Sequence, residues 1–125
     1  RILPGESVPE VQKTLQRVFA DDKIKITPDG EPVLSPPPPL TPELMQPIER
    51  ITRELWPGVP VVPAMLAGAT DGRFLNNAGI PTYGVSGMFR DPDGNGVHGL
   101  NDRLRVKSLY DGQEFLYRLV KALAS

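Results

Sequence analysis

Apolar residues recur along this chain at two spacings. In ESVPEVQKTLQRVFADD, Val8, Val11, Leu15, Val18 and Phe19 fall mostly three or four positions apart, which places them on one face of an α-helix. Ser7 stands where an N-cap belongs, and Glu10 three residues later completes a capping box. KIKIT then alternates Lys23, Lys25 and Thr27 with Ile24 and Ile26, the period of a strand wetted on one face. The apolar RIL at the start reads as another short strand. A second helical stripe runs through Leu44, Ile48, Ile51 and Leu55, opened by Thr41 as N-cap and Pro42 at the first helical position. Pro47 within it predicts a kink, or a helix that begins near Gln46. VPVVPAML and IPTYGVSG are short apolar runs suited to strands buried on both faces. Between them, GATDGRFLNNAG predicts a tight turn and a short helix, capped by Thr70 or Asp71 and stopped by Gly79. Ser108 is expected to cap a final helix with Leu109, Gly112, Phe115, Leu116, Leu119, Val120 and Leu123 on its inner side.

This order predicts an α/β fold. Residues 1–30 form a strand-helix-strand piece, 31–40 a linker, and 41–125 a helix-strand-helix-strand-helix unit. A strand, short helix and strand normally form a right-handed parallel crossover. That places AGATDG and the loop at 91–102 on the carboxyl edge of one sheet, where open parallel sheets bind ligands. The linker contains four consecutive prolines, which favour polyproline II and cannot enter a helix or central strand. A stiff connector accounts for them; a ligand for a proline-binding domain lacks the flanking basic residue that would orient it.

Composition narrows the function. With 14 basic and 15 acidic residues the formal charge is -1, which gives no support to a nucleic-acid partner or a polybasic membrane contact. Cysteine is absent, so disulfides and cysteine nucleophiles are excluded and the compartment is left open. No apolar run approaches the ~20 residues needed to span a bilayer. The first ten residues lack the apolar segment of a secretory leader. The chain opens on Arg1, and is expected to be a piece of something longer.

The only histidine, His98, lies in DPDGNGVHGLND. Asp91, Asp93, Asn95 and Gly96 follow the start of a calcium-loop pattern, with Asp102 at its twelfth position. The preceding IPTYGVSGMFR is strand-like, however, whereas an EF-hand needs a helix there. Asp, Asn and Gly are also simply turn formers. A zinc site needs several ligands, and one histidine without cysteine cannot close one, although Asp residues could assist; from residue types alone His98 reads as a ligand or as a polar loop residue. A serine triad would need Ser86 or Ser108 on a G-x-S-x-G elbow, and neither lies on one. GATDGRF is a candidate anion turn: Gly68 permits close approach, helix-start N–H groups face outward, Asp71 caps, and Arg73 adds charge. Equally, Thr70 and Asp71 do no more than cap a helix.

Taken together, RILPG, AGATDGRFLNNAGIPTYGVSG and VHGLNDRLRVKSLYDGQEFLYRLV resemble the zinc-dependent aminoacylases, carboxypeptidases and succinyl-diaminopimelate desuccinylases, closest in flavour to carboxypeptidase S. The resemblance covers essentially the whole chain; TDGRF and the HG-x-N-[DE] around His98 are its most specific pieces. It implies the C-terminal part of a di-zinc exopeptidase. Residues 1–30 would end the lid, or dimerisation, domain, and 41–125 would be the returning part of the catalytic domain. It implies two zinc ions, with His98 the last metal ligand. The other ligands and the glutamate base would lie upstream, as a His-x-Asp motif, a bridging Asp and a Glu-Glu pair. Arg1 would reach the substrate carboxylate, as a guanidinium suits. Gly68, Ala69 and Thr70 would contact substrate oxygens. Asp71, Arg73, Asn101 and Asp102 would support them. Ala69 stands where the desuccinylases carry a hydroxyl residue, which counts against a succinylated substrate. The expected substrate is an N-acyl-amino acid or small peptide with a free carboxylate, and the lid implies a possible homodimer. This chain alone is expected to be inactive. The alternative is a non-catalytic binding module, either a degenerate relative or a calcium-stabilised α/β domain.

Overall fold

The computed structural model describes residues 2–3, 5–30, 33, 35–65 and 68–125. The chain divides into two compact units, Arg1–Pro39 with Ala64–Tyr83, and Leu40–Pro63 with Gly84–Ser125. Four α-helices follow in order: α1 Val8–Phe19, α2 Pro42–Leu55, α3 Gly72–Asn77 and α4 Val106–Leu123, with a 3-10 turn at Gly94–Gly96 before α4.

The expected α/β fold with parallel-type strands is not what forms. Among the described residues there is no strand. A strand exists only through a ladder with a neighbour, and among the described residues the strand-patterned segments have none. In 23–27, Ile24 is 43% exposed, and the carbonyl of Ile26 is taken by the side chain of Gln12 in α1 (3.3 Å). In 59–65, Val62 and Met65 are exposed. With no sheet, the shared carboxyl edge inferred for AGATDG and the His98 loop loses its basis.

In the first unit, the Ser7 hydroxyl accepts the Glu10 N–H at 3.3 Å and donates to the Glu10 carboxylate at 2.8 Å. The capping box therefore closes on the hydroxyl itself. α1 buries no residue, and Leu15, Val18 and Phe19 of its apolar face are exposed. α3 ends as the sequence suggests. Gly79 has φ 82°, its N–H donates to Asn76 and that of Ile80 to Leu75, the paired bonds of a Schellman motif. The Asn76 side chain accepts the Thr82 N–H at 2.7 Å, and the Tyr83 hydroxyl donates to the Pro39 carbonyl at 2.6 Å.

The second unit holds every buried apolar side chain among the described residues. Ile48 and Ile51 of α2 meet Phe115 and Leu119 of α4, with Leu44, Leu55, Trp56, Val61, Leu116 and Ala122 around them. The α2 stripe is the predicted one. Pro47 does not interrupt it: the helix runs unbroken from Pro42 to Leu55, so the Glu43 carbonyl forgoes its usual donor. α4 begins earlier than expected, with Arg105 rather than Ser108 as N-cap, and Ser108 is buried. Its buried line is Ser108, Gly112, Phe115 and Leu119, while Leu109, Val120 and Leu123 lie on an adjoining exposed face. The segment 84–89 passes close to α4. A Cβ on Gly112 would lie 3.0 Å from the Ser86 carbonyl, and one on Gly87 would lie 2.8 Å from Phe115. Trp56 meets Phe89 edge-on at 4.8 Å and Phe115 at 5.6 Å, spacings at which aromatic pairs attract. Among the described residues no helix is long and apolar enough to cross a membrane.

Candidate functional site

The His98 loop belongs to the second unit and is built around Asn95. That residue is 2% exposed and left-handed, with φ 61°. Its side-chain oxygen accepts the Asp91 N–H at 2.6 Å, and its side-chain nitrogen donates to the Asp91 carboxylate at 3.2 Å. Its own N–H donates to the Asp93 carboxylate at 3.0 Å, and its carbonyl accepts the Arg103 N–H at 3.0 Å. The second oxygen of Asp91 pairs with Arg105, and that of Asp93 with Arg103. Each carboxylate is thus divided between Asn95 and an arginine. The residues that read as calcium ligands instead satisfy one another, and the two guanidinium groups oppose a cation.

His98 is exposed and also left-handed, with φ 65°, a conformation few residues other than Gly, Asn, Asp and His adopt. Its N–H donates to the Asp102 carboxylate at 3.4 Å. The Gly99 N–H reaches the Gly96 carbonyl at 2.8 Å. Gly96 admits no side chain, because a Cβ there would lie 2.9 Å from the Asn101 carbonyl. Asn101 and Asp102 are both exposed.

Gly68, Ala69, Thr70, Asp71 and Arg73 belong to the first unit and are exposed. The Thr70 hydroxyl accepts the Gly72 N–H at 3.1 Å. The Arg73 and Phe74 N–H groups go to the carbonyls of Thr70 and Asp71. These three helix-start donors are therefore engaged within the turn. Asp71 is the N-cap by position but makes no side-chain cap bond. The Arg73 guanidinium lies 4.6 Å over the Phe74 ring. Arg1 lies outside the described residues. An apolar groove of about 200 Å³ in the second unit is lined by Trp56, Val61, Val85, Phe89 and Phe115, among others. None of the site residues chosen from sequence lines it.

Residues 5–122 match peptidase family M20/M25/M40. The chain belongs to this family. It is 26% identical over 124 residues to probable carboxypeptidase S-like 2 of Dictyostelium discoideum, covering 97% of this chain and 24% of that protein. It is 28% identical over 127 residues to mouse N-fatty-acyl-amino acid synthase/hydrolase PM20D1, covering 97% and 25%. The Xenopus tropicalis protein of the same name is 26% identical over 128 residues, covering 97% and 24%. The chain therefore spans about a quarter of the length of these curated relatives. No solved structure matches.

Peptidases of the M20/M25/M40 family are generally metal-dependent, so the fit of this loop to a metal matters. The His98 residue is exposed and its ring makes no hydrogen bond among the described residues. Among those residues no group of three or more His, Cys, Asp or Glu side chains could hold a metal. A catalytic zinc ordinarily takes three protein ligands.

Sequence reasoning placed Asn95 only in a calcium-loop pattern, not as the residue around which the loop is built. The available signal was Gly-Asn-Gly, since Asn between glycines favours left-handed backbone. The loop is also expected to respond to acid. The Asp93 carboxyl is held below its ordinary value, first by the Asn95 N–H and then by Arg103. A lowered folded pKa stabilises above the ordinary value, and that contribution is lost as pH falls through the lowered one. Protection of the Asn95 amide from hydrogen exchange should therefore persist through mildly acidic solution. It should fall once pH drops below the ordinary aspartate value of about 3.9. Constant protection from neutral to strongly acidic solution would contradict this.

Proposed function

We propose that this chain is the C-terminal part of a zinc-dependent amidohydrolase or exopeptidase, and that it contributes His98 to a two-zinc site whose other ligands lie upstream. The observation that supports this reading best is an exposed, unengaged imidazole on a braced loop, within a family match that runs from residue 5 to residue 122. Bound zinc polarises an amide carbonyl and lowers the pKa of its water. The part of this chain is to hold one ligand in place.

The substrate class is an N-acyl-amino acid or a small peptide with a free carboxylate. The activity in the names of the PM20D1 relatives favours the acyl-amino acid. Arg1 would hold the carboxylate, and Gly68, Ala69 and Thr70 would line the acyl oxygens, supported by Asp71 and Arg73. Asn101 and Asp102 would steady the ligand loop. Residues 1–30 would close the lid, a site of possible homodimerisation, 31–40 would cross between domains, and 41–125 would belong to the catalytic domain.

Stabilisation by a ligand vanishes when its concentration is far below the dissociation constant, and one imidazole is a weak site. Zinc added to this chain should therefore leave its melting temperature unchanged, and the chain alone should not hydrolyse acyl-amino acids. In the longer protein that carries the upstream ligands, His98→Ala should lower bound zinc and abolish turnover. Full zinc content and turnover in that variant would sink the reading, as would a large zinc-induced rise in the melting temperature of this chain.

A further inference from the structure

We propose that Asn95 is the residue that positions His98. The loop around it is exposed, yet Asn95 is 2% exposed. It ties the chain on both sides of the histidine. Upstream, its side chain makes two bonds to Asp91. Downstream, its carbonyl takes the Arg103 N–H, which closes residues 96–102 into a loop with His98 inside it. The Asp102 carboxylate then holds the His98 N–H within that closed loop.

The residue type follows from the chemistry. The φ of 61° suits Gly, Asn or Asp. Glycine would accept the backbone angle and lose both side-chain bonds. Aspartate would keep the acceptor for the Asp91 N–H, lose the donor, and set a third carboxylate against Asp91 and Asp93. Only asparagine meets the backbone angle, the donor and the acceptor together. The functional consequence, a ligand held ready for metal, rests on the reading of His98 as a ligand. The positioning itself does not.

The chain carries its own reporters, because His98 is its only histidine and Trp56 its only tryptophan. The single imidazole spin system reports the loop, and Trp56 emission and near-ultraviolet dichroism report the α2–α4 core. In Asn95→Gly the imidazole signals should narrow and shift toward those of free histidine. Amide protection at Asp91 and Arg103 should fall at least tenfold, while the Trp56 signals stay those of the parent. Asn95→Asp, which keeps the acceptor for the Asp91 N–H and loses the donor, should shift the imidazole signals in the same direction. The exchange Asp91→Asn with Asn95→Asp restores a donor opposite an acceptor, and should return the imidazole signals toward the parent. Parent-like imidazole signals and protection in Asn95→Gly would overturn the proposal. So would loss of the Trp56 signals together with the loop and no recovery in the exchange variant, since Asn95 would then only hold the fold. If His98→Ala leaves zinc unchanged in the longer protein, the ligand reading fails and these results stand.

Discussion

Phe115→Ala is expected to lower the stability of the second unit by about 3–5 kcal/mol, the usual cost of deleting a buried aromatic ring and leaving a cavity. Phe115 is 2% exposed and belongs to the four-residue core. Its ring lies 5.6 Å from that of Trp56 and against the backbone of Gly87. Collapse around the void is limited, because its neighbours come from α2, α4 and the 84–89 segment at once. A small domain loses roughly 4–8 °C in melting temperature for each kcal/mol, so the midpoint should fall by more than ~10 °C. Trp56 fluorescence during a thermal or urea melt reads this directly. A loss below about 1 kcal/mol would mean that the ring is not the keystone of this helix pair.

Gly87→Ala should cost about 2–5 kcal/mol, from two separable sources. The backbone at Gly87 has φ 64°, and an added Cβ would sit 2.8 Å from Phe115 Cβ and Cγ. Left-handed backbone costs an L-residue about 1–2 kcal/mol, and overpacking typically adds about 1–3 kcal/mol. Gly58, in the same unit, isolates the first source. Its φ is 85° with nothing within 4 Å of a Cβ, so Gly58→Ala should cost only about 1 kcal/mol. Combining Gly87→Ala with Phe115→Ala should cost less than the sum, since the second change removes Cγ and the ring and leaves only the Cβ contact to relax. Strict additivity in urea melts would show that the Phe115 ring adds nothing to the cost of Gly87→Ala.

What the sequence made legible was local. The Ser7–Glu10 cap, the Leu44–Leu55 stripe and the Gly79 stop each depend on residues within a turn or two, and each is present. The strands were not legible in the same sense. Alternation in KIKIT and the valines of 59–62 mark segments suited to a sheet, but hydrogen-bonding partners decide whether one exists, and none stand beside them among the described residues. The start of α4 was misplaced because Ser108 has the chemistry of a cap, yet it lies buried in the first turn of the helix.

The candidate site shows the same division. His98 was conspicuous as the only histidine, and the glycines around it announced a turn. Asn95 was hidden because Asp, Asn and Gly in alternation suit a cation loop and a self-satisfied turn equally well. Only the arginines ten and fourteen positions beyond Asp93 and Asp91 separate the two, and no short motif contains them. The family resemblance was recoverable from TDGRF and HGLND, but no composition or periodicity argument leads to it.

The α2–α4 pair also has a topological consequence. Arg118 reaches Glu54 across 64 positions of sequence, so the core of the second unit closes only after a long stretch of chain, including residues 64–83 of the first unit, has been drawn into a loop. Closure entropy grows only logarithmically with length, about 0.6 kcal/mol for each doubling. Ten residues inserted in that stretch would therefore cost the helix pair only about 0.1 kcal/mol. Speed is governed differently, because contacts this distant delay the assembly of a helical pair that would otherwise form rapidly. Residues 64–83, which belong to the first unit, could therefore vary in length at little entropic cost to closing the α2–α4 core.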